Sequence, residues 1–336
     1  MTWRSQTTPV GVILPVAGQR KPLQLINGKL GKYLTITISA QVDVSVAAAT
    51  SIRNRGLASA LIDEFLLIEN GENRHELTGK AMRVIGQANA PSGLSTVPVL
   101  TTAVQAGTII TETLRMFFRW PMAHSPDETA FIERDQRQGL FFSVRMVANP
   151  AAALFVVGGA TVAVTNVSCT VEQDFHMPDS GTVAPYFIPV VRQAIANING
   201  GITKQAEYIR TTNLIRAIVV SQEVDGNEVS DILTGLSLRG DTITPIGPGA
   251  VPWLDLLRAS EYQYGGAMIP SNLSHLFLGF QEDGLLSNCL NPRQDTNLRF
   301  ELAGAPSATA GQSAIRFTYC ELEHTSGITS LPPFPY

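Results

Sequence analysis

The chain has 336 residues, of which 44% are hydrophobic and only 15% charged, and its formal net charge is −4 at pH 7. This length is about twice that of a typical domain, and a pI near 5.8 argues against a protein coated in nucleic acid. A charged fraction well below the roughly 25% of an average soluble domain has two explanations. Either subunit contacts bury extra surface, or β-sheets carry Thr, Ser, Asn and Gln on their outer faces.

The N-terminal segment is basic. Residues 1–22 contain Pro and Gly and show no sustained periodicity, which predicts an arm outside the core. The arm is either a solvated terminus or a segment drawn to an anionic surface, since each Lys or Arg near an acidic membrane contributes about 1 kcal/mol. A Trp side chain suits the interfacial zone of a membrane. The candidate contacts with a membrane or a neighbouring subunit are therefore Trp3, Arg4, Arg20 and Lys21.

Short β-strands are predicted from Leu23 onward. Residues 33–46 alternate between apolar and polar side chains, which is typical of a strand with one solvent-facing side. Residues 61–68 predict a covered strand or a short helix, and Asn70-Gly71 predicts a type I′ hairpin turn because both residues tolerate positive φ. Further strand candidates lie at 94–118, 140–147, 154–171, 205–223, 233–243, 273–280, 298–302 and 315–323. Such frequent short strands indicate a β-sandwich or barrel.

Two short helices are also predicted. Residues 251–258 place Pro252 near the first turn, with Trp253, Leu256 and Leu257 on one face. Residues 190–196 are the second candidate. Two long excursions, at 120–139 and 243–297, interrupt the strands, and such loops on a compact sandwich are usually functional.

Cysteine usage and hydropathy predict a soluble protein that is made in the cytoplasm of the producing cell. Cys169, Cys289 and Cys320 are too few for a disulfide scaffold, so buried free thiols are expected. Residues 9–16 are too short and too interrupted by Pro and Gly for a secretory signal. The longest apolar run, 151–164, is shorter than the roughly 18–20 residues of a membrane-spanning helix.

No catalytic or metal-binding motif stands out. The five His residues lack H-x-H and H-E-x-x-H spacing, and neither a phosphate-binding loop nor a nucleophile elbow occurs. Acidic pairs such as Glu69 with Glu72 fall in predicted turns, where solvated hairpins are the simpler interpretation than a glycosidase pair. We expect no cofactor, no metal and no enzymatic activity. Sites defined by geometry alone, such as a Ser-His-Asp triad, are not tested by spacing.

Four stretches recur in the same order about 155 residues apart. The pairs are 61–68 with 214–221, 77–83 with 233–239, 140–144 with 298–302, and 167–172 with 318–323. Because this spacing is far longer than the period of a solenoid or propeller, it predicts two copies of one domain. The predicted organisation is an arm (1–22), a first module (23–176), a linker (177–186), a second module (187–325) and a Pro-rich tail (326–336).

Two tandem all-β modules with long loops and few charges resemble a double jelly roll. The chain is similar in this respect to the major capsid proteins of tailless, membrane-containing icosahedral bacteriophages, a lineage shared with adenovirus hexon. The resemblance rests on the ordered repeat, spans nearly the whole chain and is not carried by a diagnostic motif.

This resemblance implies two tandem jelly-roll β-sandwiches and a structural role in a virion. Three chains would form a pseudo-hexameric homotrimer that tiles an icosahedral shell, with neighbouring capsomers, penton proteins and minor capsid proteins as partners. The arm and the tail would reach an internal membrane or adjacent subunits. Sequence-specific nucleic-acid binding is not expected.

Two alternatives share the all-β architecture. A carbohydrate-active or carbohydrate-binding double β-sandwich would need an aromatic-lined cleft with paired carboxylates. The chain has only three Trp and seven Tyr, so few aromatic side chains are available to line such a cleft. A trimeric viral spike or receptor-binding protein would share the trimer without forming shells.

Overall fold

The structure is a computed structural model that divides into two compact units, Met1–Pro189 and Val190–Tyr336. The described residues are 4–26, 30–46, 49–54, 57–89, 100–117, 139–159, 161–177, 187–198, 205–225, 227–264, 274–280, 288–295, 297–305, 308 and 311–324. Trp3, most of the predicted linker and the predicted tail lie outside these ranges.

The first unit is built from strands of very unequal length. They are β1 Arg4–Ile13, β2 Arg20–Gln24, β3 Leu30–Val46, β4 Ala49–Ile52, β5 Ile62–Glu69, β6 Glu72–Leu77, β7 Gln105–Phe117, β8 Leu140–Met146, β9 Phe155–Val157 and β10 Thr161–Met177. Two helices accompany them, α1 Gly79–Asn89 and α2 Pro150–Leu154.

Within this unit, eight of these strands are ordered in two antiparallel groups of four neighbours. One has the spatial order β1-β10-β3-β7, and the other has β2-β8-β5-β6. If the eight are lettered B to I along the chain, the sheets read B-I-D-G and C-H-E-F, which is the jelly-roll arrangement of interlocking Greek keys. We call this sandwich roll 1. The short strands β4 and β9 pair with each other beside it.

The second unit repeats this connectivity. Its elements are β11 Phe187–Asn197, β12 Gln205–Tyr208, β13 Leu214–Val224, β14 Asn227–Glu228, β15 Leu233–Arg239, β16 Ile246–Pro252, α3 Trp253–Tyr264, β17 His275–Gly279, β18 Arg299–Gly304 and β19 Ser313–His324. The sheets run β11-β19-β13-β17 and β12-β18-β15-β16, again B-I-D-G and C-H-E-F. We call this sandwich roll 2. The predicted all-β double jelly roll is confirmed.

Strict alternation along the strands builds each core. In β3, Leu34, Ile36 and Ile38 are fully buried while the intervening Thr35 and Thr37 remain partly exposed. Aromatic rings complete the packing in different ways. In roll 1, Phe65 and Phe142 stack on neighbouring strands with centroids 5.6 Å apart, whereas in roll 2 Phe300 and Phe317 stack between the two sheets at 4.6 Å.

The N-terminal arm was predicted wrongly, because residues 4–13 form β1. This strand pairs with β10 over its whole length, from Arg4 opposite Met177 to Ile13 opposite Cys169. Pro9 and Gly11 flank a break in the register, which hides the period-two pattern in the sequence. Backbone hydrogen bonding therefore makes this segment part of the jelly roll despite its weak apolar alternation.

The repeat was recognised correctly as a whole, but two of its four matches join elements that are not equivalent. Residues 77–83 enter helix α1, whereas 233–239 form strand β15. Likewise, residues 61–68 lie mainly in β5, the E strand of roll 1, whereas residues 214–221 lie in β13, the D strand of roll 2. The other two matches, 140–144 with 298–302 and 167–172 with 318–323, do fall on equivalent H and I strands.

Some of the local predictions are confirmed and others are wrong. The Asn70-Gly71 turn is confirmed, with φ of 53° and 82°, joining β5 to β6. The helix predicted at 251–258 exists as α3 and buries Trp253 as expected, but it begins at Trp253, because Val251 and Pro252 belong to strand β16. The helix predicted at 190–196 is wrong, because these residues belong to β11. Helix α1 was not predicted at all.

The three cysteines are free and buried, as expected. Burial raises the pKa of Cys169 and of Cys320 to about 12, so both thiols stay protonated at neutral pH.

Candidate assembly surfaces

Of the basic and aromatic residues singled out at the N-terminus, those that the structure describes do not lie together. Trp3 lies outside the described residues, and Arg4 begins β1. Arg20 and Lys21 begin β2, after the chain has run the full length of β1 and turned. Ten strand residues at about 3.3 Å each separate the two ends by about 30 Å. Arg4 and Arg20 therefore lie at opposite ends of roll 1.

Arg20 is engaged within the chain. Its guanidinium donates two hydrogen bonds to the Glu64 carboxylate, one of them at 2.8 Å, and Arg145 lies 3.6 Å from the same carboxylate. Hydrogen bonding by Arg20 lowers the pKa of the buried Glu64, against the opposing effect of burial. The Arg20 side chain is still 54% exposed. Its charge is largely neutralised by Glu64, which makes it a poorer membrane contact than its sequence position indicated.

Lys21 lies beside this ion pair on β2. It is half-buried and opposite Val144 in the register of β2 with β8. Its alkyl stem therefore covers part of the sheet edge rather than extending freely into solvent.

The outer face of the β1-β10-β3-β7 sheet explains part of the low charge. Its central side chains are hydroxyl-bearing: Thr35, Thr37 and Ser39 on β3, Thr111 and Thr113 on β7, and Ser168 and Thr170 on β10. Thr37 and Thr113 are hydrogen-bonded across strands at 3.1 Å. Uncharged β-branched residues suit a sheet surface. This face supports the explanation of low charge by polar, uncharged outer sheets.

An apolar stripe emerges where β1 ends. Val12, Leu14 and Val16 alternate along the chain and are 57%, 68% and 43% exposed, whereas Ile13 between them is buried. We call these three residues the N-terminal stripe. Alternation at period two places them on one side of an extended segment, so they form a contiguous exposed apolar surface.

A second bare surface lies on helix α3. Trp253, Leu256 and Leu257 pack inward, while Leu254 and Tyr262 are 55% and 94% exposed. Leu254, Arg258 and Tyr262 follow one another at intervals of four residues, which places them on one helix face. We call these three residues the α3 face. The Arg258 charge on it is paired with Asp255 at 3.4 Å.

Helix α1 occupies the same place in roll 1, between the F and G strands, yet it is covered. Its described side chains from Lys80 to Val84 are all buried, Lys80 and Arg83 included. Thr78 Oγ1 accepts a hydrogen bond from the Ala81 amide at 3.1 Å and caps the helix. An added Cβ at Gly79 would overlap the Ser59 carbonyl, so the helix starts in direct backbone contact with its neighbour.

A buried carboxylate fixes the loop after β15 in roll 2. Asp295 Oδ2 accepts hydrogen bonds from the Thr242 amide at 2.7 Å and the Ile243 amide at 3.2 Å, and Oδ1 accepts one from Asn297. These amides hold the pKa of Asp295 well below its usual range. Gly240 contacts the carboxylate so closely that a Cβ there would overlap it.

Metal-binding clusters and membrane-spanning helices were both looked for in the described part of the chain. It contains no group of three His, Cys, Asp or Glu side chains placed to hold a metal ion. Nor does any helix among the described residues have the length and apolar character to cross a membrane.

Comparison with known proteins matches the chain by structure alone. No protein-family model and no curated protein matches it. The solved major capsid protein of Sulfolobus Turreted Icosahedral Virus is similar with a TM-score of 0.72 and 12% identity, over 98% of this chain and all of that one. VP54 of the virus PBCV-1 is similar at TM-score 0.63 and 10% identity, over 97% of this chain and 95% of that one.

A bacteriophage protein belongs to the same set. The major capsid protein of bacteriophage PM2 is similar at TM-score 0.55 and 10% identity, over 96% of this chain and all of its own length. At these identities the similarity establishes the fold. The chain has the double jelly-roll fold found in these viral proteins, across nearly its whole length.

Proposed function

We propose that this chain is a major capsid protein, a structural protein of an icosahedral virion without enzymatic activity. One observation carries the proposal: a single chain holds two complete jelly rolls with the same B-I-D-G and C-H-E-F connectivity. Viral major capsid proteins of archaeal and bacterial viruses are similar to it end to end. Two equivalent rolls in one chain are what a pseudo-hexagonal building block requires.

The building block is a homotrimer. Three chains with two rolls each place six similar wedges around a threefold axis, and closed cyclic symmetry satisfies every contact. Such tiles pack on a flat facet and meet penton and minor capsid proteins at its boundaries. The outer sheet face rich in Thr and Ser supports this role, since it is polar enough for solubility and carries few charges to desolvate at a contact.

The virus belongs to the tailless kind with a membrane beneath the shell. The N-terminus supports this part of the proposal through Arg4, which begins β1 at the end of roll 1 remote from Arg20, and through Trp3, which precedes it in the sequence. Arg20 and Lys21 then serve the fold of roll 1 and not the membrane. Nucleic acid is not bound in a sequence-specific way, in keeping with the acidic pI of about 5.8.

The test is the solution mass of the purified chain, measured by light scattering, followed by negative-stain microscopy. A particle of three times 36.2 kDa with a six-cornered outline is expected. A monomer of 36.2 kDa that does not assemble under any ionic condition contradicts the proposal. Binding of the trimer to anionic vesicles, and its loss in a Trp3→Ala/Arg4→Ala variant, tests the membrane contact separately.

A further inference from the structure

Strand β1 is held less firmly than the other strands of its sheet. It lies at the edge of this sheet, so β10 is its only neighbour there. Among its described side chains, residues 7–13, only Ile13 is buried. Strand β3 of the same sheet buries six apolar side chains, Leu34, Ile36, Ile38, Ala40, Val42 and Val44. Little buried apolar area therefore holds β1 in place.

Local features weaken β1 further. Pro9 has no amide proton to donate, and the register with β10 breaks between Pro9 and Gly11. The Thr8 hydroxyl oxygen is buried without a hydrogen-bond partner among the described residues, which costs free energy. Thr7 compensates in part by donating a hydrogen bond to Asp174. A strand held mainly by its backbone ladder opens more readily than strands that fill the core.

The segment that follows β1 has the properties of a hinge. Residues 14–19 turn the chain from β1 into β2, and Gly18 occupies this turn with φ of 70°. The Gly18 amide donates to the Met146 carbonyl at 2.9 Å, which anchors the far side of the turn in roll 1. At about 3.3 Å per residue, the six residues extend to about 20 Å. The turn can therefore open while β2 keeps its place beside β8.

We propose that β1 exchanges between copies of this chain, so that residues 4–13 of one copy lie beside β10 of another. The occupant follows from the structure, because this same segment fills the place beside β10. A second copy carries an identical strand and would make the same contacts, including the close approach of Gly11 to Leu23. Exchange of an identical element is a low-cost way to join protomers. This inference rests on the proposed self-assembly and names one way in which copies are held together.

Paired cysteines on facing strands test the exchange in the full-length chain. Val12 of β1 and Thr170 of β10 are opposite each other, and both are exposed. Opposite residues have Cα atoms about 4.5–5.5 Å apart, within the range that a disulfide spans. In the Val12→Cys/Thr170→Cys variant the same disulfide forms whether β1 is the chain's own or exchanged, since the strands pair identically. The chain's own three cysteines are buried and should not compete.

A denaturing gel without reductant, run after the assembled chain has been oxidised, distinguishes the two arrangements. Exchange predicts linked bands of two and three chains, and neither cysteine alone should give a linked trimer. The matched control is Thr37→Cys/Thr113→Cys, which joins β3 to β7 on the same face of the same sheet. The control should link only within a chain, because neither of its strands is a terminal segment.

Light scattering of the same samples separates this inference from the proposed function. A trimer whose Val12→Cys/Thr170→Cys disulfides all lie within single chains overturns the exchange and leaves the capsid proposal standing. A chain that stays monomeric overturns both. Equal linkage between chains in the control would show collision of assembled neighbours, and it would also overturn the exchange.

The hinge provides a second, independent measurement. Gly18→Ala places a side chain at φ of 70°, which strains the closed turn and not the extended hinge. In the Val12→Cys/Thr170→Cys background, it should raise the share of disulfides between chains about threefold or more. Gly71→Ala is its control, because Gly71 has φ of 82° in a turn outside β1. An unchanged or lower share in Gly18→Ala contradicts exchange through this hinge.

Discussion

Roll 1 and roll 2 share one connectivity and differ in almost everything else. The longest strands of roll 1, β3 and β10, have 17 residues each, whereas their counterparts β13 and β19 have 11 and 12. The described residues at the start of helix α1 are buried, whereas one face of α3 is exposed to solvent. Strand order is thus the property that the two copies retain, while surfaces and strand lengths have diverged. A jelly roll tolerates this because its core needs only alternating apolar residues of suitable volume.

Among the tests of that comparison, replacing a ring of the aromatic stacks has the largest expected effect on stability. Replacing Phe300 by Ala removes a fully buried ring from between the sheets of roll 2 and should cost about 3–5 kcal/mol. Replacing Phe142 by Ala in roll 1 should cost a similar amount. Denaturant titration measures both, and hydrogen exchange locates the loss.

Exchange protection should fall first in the strands of the roll that carries the substitution. Phe300→Leu and Phe142→Leu are the controls, since each keeps most of the volume and should cost under about 1.5 kcal/mol. Equal loss of protection in both rolls from either Ala variant would show that the two copies unfold as one unit.

The hydrogen bonds that Asp295 accepts are a feature described only for roll 2, and two substitutions test their contribution to stability. Gly240→Ala forces a methyl group against the Asp295 carboxylate and should destabilise the chain by about 1–3 kcal/mol. Asp295→Asn should also destabilise it at neutral pH, because an amide cannot accept as many hydrogen bonds as a carboxylate. Thermal melting at several pH values measures both effects.

The pH dependence has a defined sign. Asp295 has a lowered pKa in the folded chain, so its stabilisation is present above the ordinary Asp pKa and is lost as the pH falls toward the folded value. The difference between the unsubstituted chain and Asp295→Asn should shrink on acidification. A difference that does not change with pH would mean that the carboxylate charge is not what holds this loop.

The Arg20–Glu64 ion pair tests roll 1. Arg20→Gln leaves the buried Glu64 with Arg145 alone and should cost about 1 kcal/mol, a modest figure because Arg20 is half exposed. Glu64 also has a lowered pKa, so the cost should be present at neutral pH and should fade in acid. Urea titration at pH 7 and in acid checks this.

A matched variant separates charge from geometry. Arg20→Lys keeps the charge but loses the bidentate hydrogen bond to Glu64. The stability of this variant should therefore lie between that of the unsubstituted chain and that of Arg20→Gln. If Lys21→Gln destabilises the chain as much as Arg20→Gln does, the specific pair with Glu64 is not the cause.

The Asn70-Gly71 hairpin is the smallest test. Gly71 has φ of 82°, where a side chain is strained, so Gly71→Ala should cost about 1 kcal/mol. Gly249 in roll 2 has open space around it and no positive φ, so Gly249→Ala should not be destabilising. Comparable melting temperatures for the two variants would argue against the turn type.

Local signals were sufficient for the strands and the two modules. Period-two alternation in residues 33–46 and the Asn-Gly turn report backbone geometry directly, because they depend on neighbours along the chain. Residues 77–83 and 233–239 show the limit of such signals. Both contain Leu-Thr-Gly and a later Arg, yet Gly79 opens a helix against the Ser59 carbonyl while Gly235 lies in a strand against the Val251 carbonyl.

The candidate contacts were less predictable than the fold. Arg4 and Arg20 are close in sequence but are separated in space by the length of a strand. Glu64, the ion-pair partner of Arg20, is 44 residues away along the chain. Helix α3 has a Pro just before its first residue and an apolar face, so its existence followed from the sequence. Its bare outer face, with Leu254 and Tyr262, did not follow, because nothing local distinguishes a covered leucine from an exposed one.

By itself, the sequence determined an all-β chain of two similar modules, since alternation, turn residues and the ordered repeat are encoded locally. Only the tertiary structure decided which strands of the two rolls correspond, which basic residues are paired and which apolar residues stay uncovered. Leu34 and Leu14 are the same residue type in extended segments, yet one is fully buried and the other is 68% exposed. The difference arises because burial depends on which distant strands pack over a residue, and sequence distance carries no record of that.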